Sequence, residues 1–262
     1  MVASWLTDTV TADLDRGLHY TALWGFDAVE LRMIGRERVP YANERKLRRR
    51  LEEFEMPVAA LVPGVFEGPA SDRAMGLNDV ATLAETLAFA GRIGCAVVVA
   101  SAFAAEDAFD AGAAADVLRR AGDAAGRAGV QLALLNETGM QHATGAALAG
   151  LLAAVDHPAV GAAWSPSDAL QAGEAAADGL EALAGRVVHV RARDGAVGDA
   201  GWVDAGFGEG ALGWPAILRG LHGQSYAGAI SLEIHPVADV PRAKLGLRSG
   251  TALVQAIRAA RR

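Results

Sequence analysis

Eight times along this chain a short apolar run is followed by a longer stretch in which alanine and leucine recur at helical spacing. No other feature narrows the possible folds so far. The runs expected as strands are Val2–Leu6, Ala28–Arg32, Val58–Val62, Ala96–Ala100, Gln131–Leu135, Val160–Trp164, Val187–Arg191 and Ala229–Ile234. Most are apolar at successive positions, as strands buried on both faces of a parallel sheet are. Helices are expected near Thr11–Trp24, Asn43–Glu55, Leu77–Ile93, Gly112–Ala128, Gly145–Val155, Ala172–Leu183, Trp214–Leu221 and Ser249–Ala260. Glycine often closes the helix just before the next strand, as at Gly25, Gly94, Gly129 and Gly185, where a left-handed cap ends it. No linker or shift in composition divides the chain, so residues 1–262 are expected to form one domain. Eight strand–helix units in 262 residues predict an α/β protein, a single (β/α)8 TIM barrel, a fold that typically takes about 250 residues. A doubly wound open sheet is the alternative. It usually has fewer strands and often carries a glycine phosphate loop after its first strand, which this chain lacks.

Charge and cysteine content exclude several classes of function. A net charge of −7 argues against nucleic acid as a partner, since phosphate neutralisation needs a basic surface. The run Glu44–Glu53 is locally basic, but acids flank it at helical spacing, and a solvated helix face is the expected reading. Cys95 is the only cysteine, which rules out an intrachain disulfide or a zinc site of several thiolates. It opens an apolar strand and is expected to be buried and inert. The N-terminus lacks the basic flank and apolar stretch of a signal peptide, and no apolar run reaches the roughly 18 residues of a membrane span. No membrane partner is expected, and the cytoplasm is the expected compartment.

Catalytic groups of a barrel stand at the C-terminal ends of its strands. Those ends carry Thr7-Asp8, Glu30 to Arg32, Pro63-Gly64, Ser101, Asn136-Glu137, Trp164-Ser165, Arg191 to Asp194, and Glu233 to His235. Acids, bases and one tryptophan gather there, whereas the strand interiors are nearly all apolar. Trp164 can stack on a flat ligand face or cap the core. Glu30 and His235 can bond a hydroxyl or order a loop. Gly206–Gly210 can offer backbone N–H groups to a phosphate, but a turn before a helix is the favoured reading. His142 falls on a loop and is taken as a surface residue. No Ser–His–Asp order or cysteine–histidine pair stands out.

The segment Gly208–His235 runs turn, helix, turn, strand, and resembles the last unit of the xylose isomerase-like sugar isomerase/epimerase family. Trp24–Arg32, Ala90–Ala100, Ala125–Glu137, Ala159–Ala169 and Val187–Gly195 resemble other units of that family, in the right order. The resemblance implies a divalent metal at the barrel mouth, a small sugar, polyol or sugar acid as ligand, and a homo-oligomer as in related barrels. It places Glu233 at a metal-ligating glutamate, whereas the other three ligand positions fall on Leu135, Ser165 and Arg191. An alkyl group, a hydroxyl and a permanent cation make a poor donor set for a hard ion, so no resident metal is expected. Manganese or zinc remains an alternative through relocated ligands Glu137, Asp168, His189 and Glu233. Without metal, Arg191 is expected to neutralise Glu233, either as a plug or as a fixed cation for substrate. Glu233 or Glu137 then serves as general base, with Glu30, Trp164, Asp168, His189 and His235 binding substrate. Three readings stay open: a metal-free isomerase, a non-catalytic protein that binds a sugar or a partner, and a metal-dependent isomerase.

Overall fold

The strands form where the sequence has its short apolar runs, and their alternation sorts the side chains into two layers. In the computed structural model, which describes residues 1–199 and 201–261, the barrel strands are β1 Val2–Trp5, β2 Val29–Leu31, β3 Val58–Leu61, β4 Val97–Ala100, β5 Gln131–Leu135, β6 Val160–Trp164, β7 Val187–Ala192 and β8 Ala229–Leu232. All neighbours run parallel, in the order β1-β8-β7-β6-β5-β4-β3-β2. A parallel bridge between Leu6 and Glu30, with the Asp27 and Ala28 amides donating to the Ala3 carbonyl, brings β2 alongside β1. The sheet thus comes round on itself.

One set of alternate residues faces the helices and shares their core: Trp5, Leu31, Leu132, Leu134, Trp164, Val190, Ile230 and Leu232. The other set faces the lumen, where Leu6, Ala60, Val62, Val99, Ala133, Leu135 and Ala163 form a separate apolar cluster. By the same period of two, Ser4, Glu30, His189, Arg191 and Ser231 also point into the lumen, and all five are buried. One side of the lumen is therefore apolar, and the side built from β7, β8, β1 and β2 is polar.

The helices are α1 Leu14–Trp24, α2 Glu44–Glu53, α3 Arg73–Ile93, α4 Ala111–Arg127, α5 Gly145–Val155, α6 Pro166–Gln171, α7 Ala176–Ala182, α8 Trp214–Gly223 and α9 Arg242–Ala260. Asp13, Asn43, Asp72, Asp110, Thr144 and Ser165 cap six of them by accepting from first-turn amides. The Asp72 cap starts α3 four residues before the expected Leu77. The helix expected over Ala172–Leu183 is the shorter α7, and α6, which was not expected, precedes it directly after β6, the two parted at Gly173. Two hairpins, Met33–Ile34 with Glu37–Arg38 and Asp194–Gly198 with Gly201–Ala205, were not legible from the apolar pattern. Among the described residues no helix is long and apolar enough to cross a membrane. Cys95 is buried, donates to the Val97 carbonyl and has its pKa pushed up to about 12 by desolvation, as an inert thiol should.

Candidate functional site

The strand ends and the loops beyond them enclose a pocket of about 110 Å³ with Arg191 at its floor. Arg191 donates through Nη2 to Glu30 Oε1 and through Nη1 to Glu233 Oε2, the latter at 3.4 Å. Below it, His189 Nε2 stands 3.1 Å from the second Glu30 oxygen. An ionised glutamate only accepts, so this nitrogen carries the proton. Glu30 and His189 expose nothing, and Arg191 is 3% exposed. Burial alone would raise the Glu30 carboxyl, but Arg191 and His189 outweigh it and hold Glu30 well below the usual carboxylate range. Burial likewise works against the Glu233 charge, yet Arg191 and His235 bring its pKa down to about 2. The Arg191 cation loses hydration on burial, and its carboxylate neighbours more than compensate. These buried charges persist because each meets an opposite one at bonding distance.

Further charges are fixed around this floor. Arg32 Nε bonds Asp8 at 2.9 Å, and Arg193 Nε bonds Asp204 at 2.6 Å while its guanidinium lies 5.5 Å above the Trp202 ring. Arg38, delivered by the first hairpin, pairs with Glu67 at 2.7 Å and donates to the Val62 carbonyl at 3.3 Å. Its guanidinium lies where a side chain on Gly64 would project, and the positive φ there (+77°) favours glycine. His235 stands between Glu233, at 3.3 Å, and Asp204, at 4.0 Å. Asp168 accepts from the Thr138 amide at 3.1 Å and from the Ser165 hydroxyl at 2.5 Å. Asn136 in turn pins the Ser165 backbone from both sides, at 2.7 and 2.8 Å. Glu137 differs from these acids. No hydrogen bond or ion pair engages its carboxylate among the described residues, and burial, reinforced by the Asp168 charge, raises its pKa.

Glu137, Asp168, Arg191, Glu233 and His235 thus line one pocket, as do Arg32, Arg38, Glu67 and Arg193. Glu30 and His189 do not reach it. They sit one layer deeper in the lumen, spent on Arg191, which corrects the expectation that they touch a ligand. Trp164 is also corrected: an inward Ala163 precedes it, so its indole turns outward into the helix layer and is fully buried. Arg191 does bond Glu233, but it has a second partner in Glu30. The relocated ligand set is not assembled, because His189 lies below the guanidinium. Among the described residues no group of three or more His, Cys, Asp or Glu side chains could hold a metal ion. The amide of Gly208, in the glycine run, donates to Asp194 Oδ2 at 2.8 Å and so serves a turn. The sequence reading missed the roles of Arg32 and Arg193, although each stands two residues beyond an inward-facing strand position. Asp8 stands likewise two residues beyond the inward-facing Leu6, whereas Arg38, Glu67 and Asp204 come from loops and hairpins and carried no such signal.

A sequence profile described as xylose isomerase-like TIM barrel matches residues 18–254. No curated protein sequence is similar enough to match. Among solved structures, an L-ribulose 3-epimerase superposes with a TM-score of 0.81 at 17% identity, covering 99% of this chain and 95% of its own. A D-tagatose 3-epimerase-like protein gives 0.82 at 19% identity, covering 100% and 98%. A xylose isomerase-like TIM barrel/4-hydroxyphenylpyruvate dioxygenase fusion protein gives 0.80 at 20% identity. There the match covers 95% of this chain but only 41% of the fusion. At these identities the structural likeness establishes the fold.

Proposed function

The chain belongs to the xylose isomerase-like TIM barrel family, and on that premise we propose that its mouth takes a small sugar, polyol or sugar acid. There it moves a proton next to the substrate carbonyl, as a sugar isomerase or epimerase does, without a divalent ion. The 3-epimerases among its structural neighbours support that reaction class. The observation that carries the metal-free part is Arg191, whose guanidinium bonds both Glu30 and Glu233. The residues at the family's ligand positions do not fit an ion. Leu135 has no donor atom, the Ser165 hydroxyl is committed to Asp168, and Arg191 would repel a cation.

Glu137 is the proton acceptor. No ion pair holds it among the described residues, and burial raises its pKa, which makes it a stronger base than an exposed carboxylate. Arg191 supplies a fixed positive charge for the negative charge that develops on the carbonyl oxygen. Glu233, with its carboxyl held at about 2, is too weak a base for this step and positions Arg191 instead.

One observation favours a second reading, a non-catalytic ligand-binding protein: Arg191 is almost enclosed and both its carboxylate partners are already in place. Chelator-treated protein is incubated in D2O with a panel of ketoses, aldoses and sugar acids and followed by proton NMR. C–H exchange beside the carbonyl that vanishes in Glu137→Gln supports the isomerase reading. Exchange that appears only on adding manganese or zinc overturns the metal-free part. No exchange, with a ligand-dependent rise in Tm, selects the binding protein.

A further inference from the structure

The charges lining the pocket are unevenly satisfied, and what is left over points to one class of ligand. Glu233 is neutralised by Arg191 and His235, Glu67 by Arg38, and Asp168 is bonded by the Thr138 amide and the Ser165 hydroxyl. Three groups keep bonding capacity that no protein group uses among the described residues: the Glu137 carboxylate and the terminal amino groups of Arg32 and Arg193. Glu137 follows β5, while Arg32 and Arg193 follow β2 and β7, on either side of Glu233 and His235 at the end of β8.

Arg32 and Arg193 are built alike. Each is held through Nε by an acid that does not line the pocket, Asp8 or Asp204, and these are the only hydrogen bonds their side chains make among the described residues. The Nε bond fixes the plane of each guanidinium and leaves its two terminal amino groups without a protein partner. Arg193 is braced further by the Trp202 ring. A planar, fixed fork of this kind matches a carboxylate. A neutral sugar would leave the terminal amino groups of both forks without a charged acceptor.

We propose that Arg32 and Arg193 receive the carboxylate of the ligand, and that the substrate class of this mouth is a small sugar acid. The inference rests on the reading of the mouth as a sugar site and narrows it. A carboxylate on the β2–β7 side directs the rest of the molecule towards Glu137 and Asp168 on the opposite wall, so the same contacts that select the ligand also orient it. A carboxylate is favoured over a phosphoryl group because the nearby glycine run has no amides to spare for one: with Gly195, Gly208 already donates to Asp194.

The test is calorimetric titration and thermal shift on the full chain with a panel of aldonates and uronates, the matched neutral sugars, and inorganic phosphate. At least one sugar acid should bind more tightly than its neutral counterpart. That affinity should fall by roughly tenfold or more in Arg32→Gln and in Arg193→Gln, the usual cost of a lost charge-assisted hydrogen bond. Arg32→Lys and Arg193→Lys keep the charge beside Asp8 and Asp204 but lose the fork, and they decide the matter if the glutamine variants fail to fold. Neutral sugars that bind as tightly as the acids, with the arginine variants indifferent, would overturn the carboxylate assignment and leave the sugar site standing. Phosphate that binds with the same arginine dependence and displaces the acids would reassign the forks to a phosphoryl group. If neither sugars nor sugar acids bind, the sugar-site reading falls and this inference with it.

Discussion

Arg191 is held where a lone guanidinium would cost several kcal/mol to bury. Its two carboxylate partners and the histidine beneath it form one buried network, so removing a single member strands the others. Arg191→Met should destabilise the protein by about 3–5 kcal/mol in urea denaturation, the usual cost of leaving a buried charge unpaired. The Glu30→Gln/Arg191→Met double variant should recover part of that loss, and a double-mutant cycle measures how much. The same network sets an acid limit on stability. Glu30 and Glu233 have depressed folded-state pKa values, so their charged forms favour the fold above the ordinary value of 4.5. That contribution is lost as the pH falls, for Glu233 through about 2. The urea midpoint should therefore drop as the pH is lowered from 4.5 towards 2, and drop less in Glu233→Gln. Trp164 makes the opposite case, a residue at a strand end with no part in the site. Trp164→Phe should lower Tm and leave ligand affinity unchanged in the titrations above, because the indole packs under the helices.

At the scale of elements, the alternation of apolar runs and the glycines that close helices carried most of the information. Helices begin at side chains that bond first-turn amides, and Gly25 and Gly94 end α1 and α3 in the left-handed conformation. The two hairpins escaped because each is short and partly exposed, which leaves no apolar stripe to read. They matter to the site all the same. The first brings Arg38 over the mouth, and the second brings Asp204 to Arg193. Asp194, at the root of the second hairpin, bonds the Gly195 and Gly208 amides and anchors the glycine turn that precedes α8. A side chain at Gly210 would collide with the Asp194 carboxylate and the Gly195 backbone. Gly210→Ala should thus cost roughly 1–3 kcal/mol, as overpacking does. It should also speed hydrogen exchange of the Gly208 amide, measured on a peptide spanning this turn.

For the whole molecule, the barrel gathers four arginines at one mouth although the chain carries a net charge of −7. The position the family resemblance gives to an ion is bridged by a cation. Excess manganese or zinc should therefore leave Tm unchanged, whereas a metal bound at a hundredfold excess over its Kd would add about 2.7 kcal/mol. A metal-dependent rise that disappears in Glu233→Gln would contradict the proposed metal-free mouth. The barrel and the inward direction of Arg191 and Glu233 were legible in the sequence, because eight alternations and a period of two are local patterns that each strand carries by itself. Glu30 was visible as an acid at a strand end, but its role was not. Its partners His189 and Arg191 lie 159 and 161 residues away. Across the lumen, the pairing of β2 with β7 depends on how the strands tilt and stagger when the sheet closes, a property of the whole barrel. The sequence by itself therefore determined the fold and the alternation of faces along each strand. Only the tertiary structure decided which charges meet, because a buried charge is settled by whatever lies within bonding distance after closure, and no local pattern encodes that distance.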